Sequence, residues 1–262
     1  MTHQGSPWEE RFCPATGSTM DWARHLTADY ARSVDPRRTA GTTDAVRVRA
    51  GRQLSGRGRR GASWWDAPGS SILTTLAVRR NGVWDPGDHN PASVALRAGL
   101  AVARMLEAFG IPAVGIKWPN DIYLGQRKVC GILVEADPRW FYIGIGLNVG
   151  FPAIPPDALD DPESAAPGDV RAPLPPTVGI HSLLAVLDRA LAEVLRERSW
   201  VGAVRDRLLW RHRPVRLLRE PAPAVVGTLV GIDADGAILI ADRYPGEATR
   251  YVAGTLRPGT AR

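Results

Sequence analysis

Cysteine is almost missing from this 262-residue chain. Cys13 and Cys130 are the two present, with no C-x-x-C pair and no His/Cys cluster around them. Two isolated cysteines in a chain of this length exclude a disulfide framework and supply no zinc-ligand set. Long apolar runs are missing too, so no segment is expected to cross a bilayer. The opening MTHQGSPWEE lacks the basic start and apolar stretch of a secretory signal. These absences point to a cytoplasmic protein with no membrane contact. No internal repeat is present, which removes solenoid and propeller architectures.

What the chain has is apolar bulk and positive charge. Hydrophobic residues make up 44% of it, with nine tryptophans, enough for a sizeable core and too much for global disorder. The formal net charge is +6. That sign suits nucleic acid, an acidic protein or an anionic small substrate.

GSTMD at 17–21 gives Ser18 and Asp21 the spacing of a capping box ahead of a helical pattern. AVRVRAGRQ alternates as a strand and runs into SGRGRRGASWW (55–65), and the β-rich SSILTTLAV follows. NPASVALRAGLAVARMLEAFG is the clearest helix, with Pro91 in its first turn and Gly110 closing it. AVGIKWPND places Lys117 at the end of a strand. IYLGQRKVCGILVEA and WFYIGIGLNVG then read as hairpin-connected strands, with Gly125 and Gln126 in a turn. Residues 151–176 hold eight prolines and five acidic residues and read as an irregular, mobile connection. Two helical segments follow, and from about Arg213 four short strands with a turn at Asp235-Gly236 form a β tail. By pattern alone this is a mixed sheet plus a β tail.

Three stretches carry candidate chemistry. In 55–65, Gly56, Gly58 and Gly61 allow close backbone approach, and Arg57, Arg59 and Arg60 repel one another. Such a loop is expected to be loosely ordered until an anion draws it closed. It also reads as a plain basic loop or an RNA-binding arm. Lys117 in KWPND suits one point charge on a phosphate or carboxylate, or a solvated turn. Asn148 in IGIGLNVG suits ordering a metal-bound phosphate, or capping a turn.

Taken together, GSTM (17–20), Q-x-x-GRGRRG (53–61), Trp64, KWPNDIYL (117–124), RKVCGILVE (127–135) and GIGLNVG (144–150) resemble biotin protein ligases. The pairing of GRGRRG with KWPND is the specific element. The resemblance implies an α+β fold: a mixed sheet flanked by helices, like the class II aminoacyl-tRNA synthetase core, over 1–212 with 151–176 as an insert. A small SH3-like β-barrel would occupy 213–262. It implies an ATP-dependent enzyme, with Mg²⁺ carried on the ATP phosphates and no metal site of its own. Biotin would be activated as biotinyl-5′-AMP and passed to a lysine of a biotin carboxyl carrier domain. Arg57, Gly58, Arg59 and Lys117 would hold biotin or its adenylate, with Arg59 and Lys117 catalytic. Ser18, Thr19, Met20 and Gln53 would line the ureido end. Trp64, Lys117, Lys128 and Asn148 would face the nucleotide.

The nucleophiles would come from the substrates, in keeping with histidines that lie outside every motif. Met20 stands where the family usually has Asn, and Ala62 where it commonly has Arg. Only 17 residues precede Ser18, so a DNA-binding domain and a DNA partner are not expected. The oligomeric state, monomer or homodimer, stays open. A lipoate–protein ligase of the same fold, or a nucleic-acid-binding module using the Gly/Arg loop, are the alternatives.

Overall fold

The computed structural model describes residues 7–32, 44–66, 69–87, 90–150, 166–242 and 246–259. A mixed seven-stranded sheet organises the larger part. Its strands are β1 (Glu9–Cys13), β2 (Ala45–Ala50), β3 (Ser71–Arg79), β4 (Val114–Lys117), β5 (Asp121–Leu124), β6 (Arg127–Ala136) and β7 (Trp140–Asn148), in the order β1-β2-β3-β7-β6-β5-β4. All neighbours are antiparallel except β1 and β2.

The two faces of this sheet differ because side chains alternate along each strand. On β7, Phe141, Ile143, Ile145 and Leu147 join the main apolar core. That core is covered by the helices α2 (Pro91–Ala108) and α3 (Ile180–Arg196), with the short α4 (Trp200–Arg205) beside α2. The alternate β7 residues, Trp140, Tyr142, Gly144, Gly146 and Asn148, face the other way. There α1 (Thr19–Arg32) covers one half, over a small core of Met20, Ala23, Val46, Val48 and Ala77. The other half is floored by glycine and left without a helix.

Each helix starts where local chemistry allows. Asn90 accepts the Ala92 N–H (3.0 Å) ahead of Pro91, and Gly110 takes a φ of +80° just past the end of α2. Ser18 Oγ accepts the Met20 N–H (3.3 Å) at the head of α1. Asp21, expected to return the favour in a capping box, turns instead to Arg57 (2.6 and 2.7 Å).

From Pro214 the chain forms a five-stranded antiparallel sheet, β8 (Pro214–Leu218), β9 (Val225–Ile232), β10 (Ile238–Ala241), β11 (Ala248–Tyr251) and β12 (Thr255–Pro258), in the order β11-β10-β9-β8-β12. Its apolar side chains Val215, Leu229, Ile232, Ile238 and Leu256 belong to the same buried cluster as α2. The turn at Asp235-Gly236 plugs into the larger part: Trp118 Nε1 donates to the Gly236 carbonyl (2.9 Å) and Asn90 Nδ2 to the Asp235 carbonyl (3.0 Å). Gly236 sits at φ +84° against Ser93 and Leu96.

Two strands go beyond the sequence reading. β1 lacks apolar alternation (EERFC), and β12 is only four residues long; both are held by their neighbours rather than by a pattern of their own. The proline-rich expectation divides. Residues 151–165 lie outside the described residues. Residues 166–176 are irregular but pinned, with Val170 and Leu174 buried.

One polar cluster ties the sheet edge to the helical layer. Arg47, 1% exposed, reaches Asp188 of α3 with one Nη and Glu10 of β1 with the other. Removing the cation takes the arginine from the buried Asp188 and leaves Glu10 with Arg49 alone, at 3.5 Å. Arg47→Met should therefore lower unfolding free energy by about 3–5 kcal/mol, read from urea denaturation followed by circular dichroism.

Candidate active site

The half of the sheet that α1 leaves uncovered forms the floor of a cavity of about 220 Å³. Its roof is the Gly/Arg loop. Its two ends differ in chemistry.

At one end the wall is neutral and polar. Gln53 Oε1 accepts from both the backbone N–H (2.8 Å) and the hydroxyl (3.0 Å) of Thr19. Thr75 Oγ1 lies 2.9 Å from Thr19 Oγ1, so three side chains from three elements form one chain of hydrogen bonds. Ser18 and Thr19 are nearly fully buried. Met20, also buried, lies over the floor: a Cβ on Gly144 would come within 3.0 Å of its Cε.

Towards the other end the wall is cationic. Lys117, 6% exposed, donates to Tyr123 Oη at 3.4 Å and lies 5.6 and 5.9 Å from the rings of Tyr123 and Trp210. It also borders a second cavity that holds Arg127, Trp210 and Arg257. Arg59 Nη1 donates to Asn120 Oδ1 at 3.3 Å. Burial, with the charge of Arg60 added, pushes the Arg59 pKa below its usual value. Asp121 is the one carboxylate among the described lining residues, and Lys128 pairs with it at 2.8 Å.

The loop expected to stay loose is folded. Residues 57–63 make a small hairpin, with Gly58 N–H to Ala62 O (2.6 Å), Trp64 N–H to Gly56 O (2.9 Å) and an antiparallel bridge from Arg57 to Ser63. The three arginines turn to different partners, though the charge of Arg60 is still felt at Arg59. Arg57 pairs with Asp21 and lies 3.7 Å from Glu135, Arg59 takes Asn120, and Arg60 reaches Thr255 Oγ1 of β12 at 3.1 Å. Arg60 adopts φ +56°, the left-handed region that a non-glycine residue enters at some cost.

Trp64 lies directly on the glycine floor. A Cβ on Gly131 would meet its ring at 2.7 Å and one on Gly146 at 2.5 Å; the two glycines are cross-strand neighbours on β6 and β7. Lys128 Nζ stands 5.8 Å from the ring, and the buried Trp64 Nε1 has no hydrogen-bond partner among the described residues.

Ser18, Thr19, Met20, Gln53, Arg57, Gly58, Arg59, Trp64, Lys117 and Lys128 thus come together around one cavity. Asn148 does not line it. It shares the floor's face two residues beyond Gly146, and its Nδ2 donates to the Gly168 carbonyl (2.9 Å). Its Oδ1 is buried without a partner among the described residues. The end of the proline-rich stretch is held there: Lys128 N–H to Ala166 O (3.2 Å), Gly168 N–H to Lys128 O (2.8 Å) and Val170 N–H to Asn148 O (3.1 Å).

The sequence reading missed Thr75, Asn120, Asp121, Thr255 and the floor glycines as cavity residues. Alternation on β7 (I-G-I-G) was the available signal for the floor. Nothing local to Thr255 announces that β12 returns to this site. No histidine lines the cavity among the described residues, and burial pushes the Cys130 thiol well above its usual pKa. Among the described lining residues no serine, threonine or cysteine stands beside a histidine. It can fix a polar ring at one end and gather anionic groups at the other.

A family model described as the biotin/lipoate A/B protein ligase family matches residues 38–150. A biotin--[acetyl-CoA-carboxylase] ligase of Paracoccus denitrificans is 31% identical over 211 residues, covering 76% of this chain and 85% of the relative. The enzyme of the same description from Mycobacterium tuberculosis is 30% identical over 242 residues, covering 90% and 85%. Among solved structures, the biotin protein ligase of Aquifex aeolicus in complex with biotin and ATP superposes with a TM-score of 0.73 at 23% identity, over 96% of this chain and 99% of that one.

Arg57 holds the Asp21 carboxyl below its usual pKa through their hydrogen bonds. A lowered carboxylate pKa means the pair's contribution is complete above the ordinary value of about 4 and is lost as pH falls through the depressed one. With side chains 35% and 47% exposed, the pair contributes at most about 1 kcal/mol. The protection of the amides at 56–64 against deuterium exchange, taken relative to the intrinsic exchange rate at each pH, should fall below about pH 4. Asp21→Asn should show the lowered protection already at neutral pH.

Proposed function

Because this chain belongs to the biotin protein ligases of the biotin/lipoate A/B protein ligase family, we propose that it activates biotin with ATP as biotinyl-5′-AMP and transfers the biotinyl group to a lysine of a biotin carboxyl carrier domain. The observation that carries this reading is the two-ended cavity. A neutral bicyclic ring with a ureido group needs hydroxyl and amide partners, which Ser18, Thr19 and Gln53 present. Met20 adds an apolar wall against the ring. A carboxylate and a phosphate brought together need cations, which Arg57, Arg59 and Lys117 present around the same space.

Joining biotin to ATP sets two anions against each other, and charge grows on the α-phosphate oxygens as the bond to pyrophosphate breaks. Fixed cations in a buried wall oppose that charge without reorganising. Lys117, within 6 Å of two aromatic rings, would sit at the junction of carboxylate and α-phosphate, and Arg59 would approach from the roof. The glycine at 58 lets the loop backbone lie against the acyl chain. Trp64 would cover the adenine, with Lys128 beside it. The orphaned acceptor of Asn148 suits an amino group of the base. Mg²⁺ would arrive on the ATP phosphates and neutralise them; the cavity's carboxylate, Asp121, is already paired with Lys128. The roof would keep water from the acyl-adenylate until the acceptor amine arrives.

We read residues 1–212 as a catalytic unit resembling a class II synthetase core and 213–262 as an SH3-like unit. The separate sheets on either side of Pro214 support that division.

The direct test is mass spectrometry of a carrier domain incubated with the protein, biotin, ATP and Mg²⁺. One added biotin per carrier is expected. In a parallel incubation with lipoate in place of biotin, attachment of lipoate and not of biotin would move the assignment to the other branch of the family. Lys117→Gln should slow pyrophosphate release about 10²–10³-fold while leaving the thermal transition in place.

A further inference from the structure

The side-chain amines of this chain are gathered in one place. Lys117 and Lys128 are its two lysines, and the rest of its basic residues other than histidine are arginines. Both lysines line the main cavity. A guanidinium stays protonated and offers no amine lone pair. Beyond the cavity lining, then, no side chain presents an amine that an acyl-adenylate could acylate.

The two lysines differ in reach. Lys117 is 6% exposed and its Nζ lies 3.4 Å from Tyr123 Oη. The Lys128 side chain is 29% exposed. Its backbone is pinned, with its N–H on the Ala166 carbonyl (3.2 Å) and its carbonyl on the Gly168 N–H (2.8 Å), so movement belongs to the four-carbon stem. The tip lies over the glycine floor. A Cβ on Gly131 would come within 3.4 Å of Lys128 Nζ, and the Trp64 ring centre is 5.8 Å from it. A primary amine thus stands in the very space that the ligase reading gives to an acyl-adenylate.

Asp121 accounts for its restraint. The carboxylate, on β5 and 14% exposed, stands 2.8 Å from Lys128 Nζ. The ion pair keeps the nitrogen as an ammonium, which has no lone pair to attack with, and turns it towards β5. The other charges around the cavity are Arg57, taken by Asp21, together with Arg59, Arg60 and Lys117. The phosphate of an adenylate would be met by Arg59 and Lys117, so it would not stand in for Asp121 at Lys128.

We propose that Lys128 is a latent self-acylation site and that Asp121, as a positioning residue, keeps it silent. The inference rests on the ligase reading above. Released from the pair, the ammonium gives one proton to water. The neutral Nζ then attacks the biotinyl carbonyl of the adenylate: the C–N bond forms, the C–O bond to phosphate breaks, AMP leaves with the electron pair, and the nitrogen's surplus proton passes to solvent. The product is a biotinyl amide that blocks the enzyme's own cavity. The Asp121–Lys128 pair therefore reserves the adenylate for an external acceptor.

The test uses the full chain with pre-formed biotinyl-5′-adenylate and no carrier, followed by intact mass and peptide mapping. Asp121→Asn should acquire biotin at Lys128 about fivefold faster than the unaltered protein. Asp121→Glu, which keeps the carboxylate, should restore the slow rate. Asp121→Asn combined with Lys128→Arg should gain no label in the cavity. A second arm leaves the pair intact: N-hydroxysuccinimide acetate should acylate Lys128 about fivefold more slowly than the amine that Arg139→Lys introduces at an exposed position. Labelling of Lys128 that is no faster in Asp121→Asn, or as fast as the exposed amine in the second arm, overturns the proposal. Failure of the unaltered protein to release pyrophosphate and label a carrier would instead remove the ligase reading, while the second arm still reads the ion pair.

Discussion

Three arginines within four residues set the problem that this structure solves. Left to themselves they would hold residues 55–65 open. They are kept apart by partners on three distant pieces of chain: Asp21 on α1, Asn120 after β4 and Thr255 on β12. The roof therefore draws on all three pieces as well as on its own backbone hydrogen bonds. The charges of Arg57 and Arg59 are oriented by these contacts, while Arg60 stays exposed to solvent. The consequence for chemistry is a roof that carries fixed cations above a floor able to accept a substrate.

The floor depends on a simpler device, the twofold alternation of β7. One face supplies Phe141, Ile143, Ile145 and Leu147 to the core under α2 and α3. The other supplies glycines, which leave room for ligand and for the Trp64 ring. The same strand is thus both the centre of the core and the base of the site. A side chain added at Gly146 would be felt first by Trp64, and through it by the loop. Stability and binding meet at one residue without sharing a side chain.

Much of this was legible beforehand. α2 announced itself through Pro91, Gly110 and a long apolar stripe, and the hairpins through Gly125 and Asp235-Gly236. The site residues came from motifs whose meaning lies in their combination, and ten of the eleven named positions surround one cavity. The failures have physical causes. β1 and β12 are stabilised by pairing rather than pattern, so no periodicity betrays them. The loop was expected to be loose because its internal repulsion is visible in sequence, whereas Asp21 and Thr255, which hold Arg57 and Arg60 in place, are 36 and 195 residues away. Asn148, placed by analogy at the nucleotide, lies just beyond the cavity lining, where its amide nitrogen secures Gly168 and its Oδ1 has no partner among the described residues.

The hydrogen bond from Trp118 to the Gly236 carbonyl carries a lesson for protein engineering. It joins the turn that holds Asn120 to the tip of the terminal sheet, across a core that both parts share. Exchanging that sheet for one from a relative is therefore not a cut at residue 213. A working chimera has to import the 233–237 tip together with matching residues at the head of α2, because the seam follows these contacts and not the order of the chain.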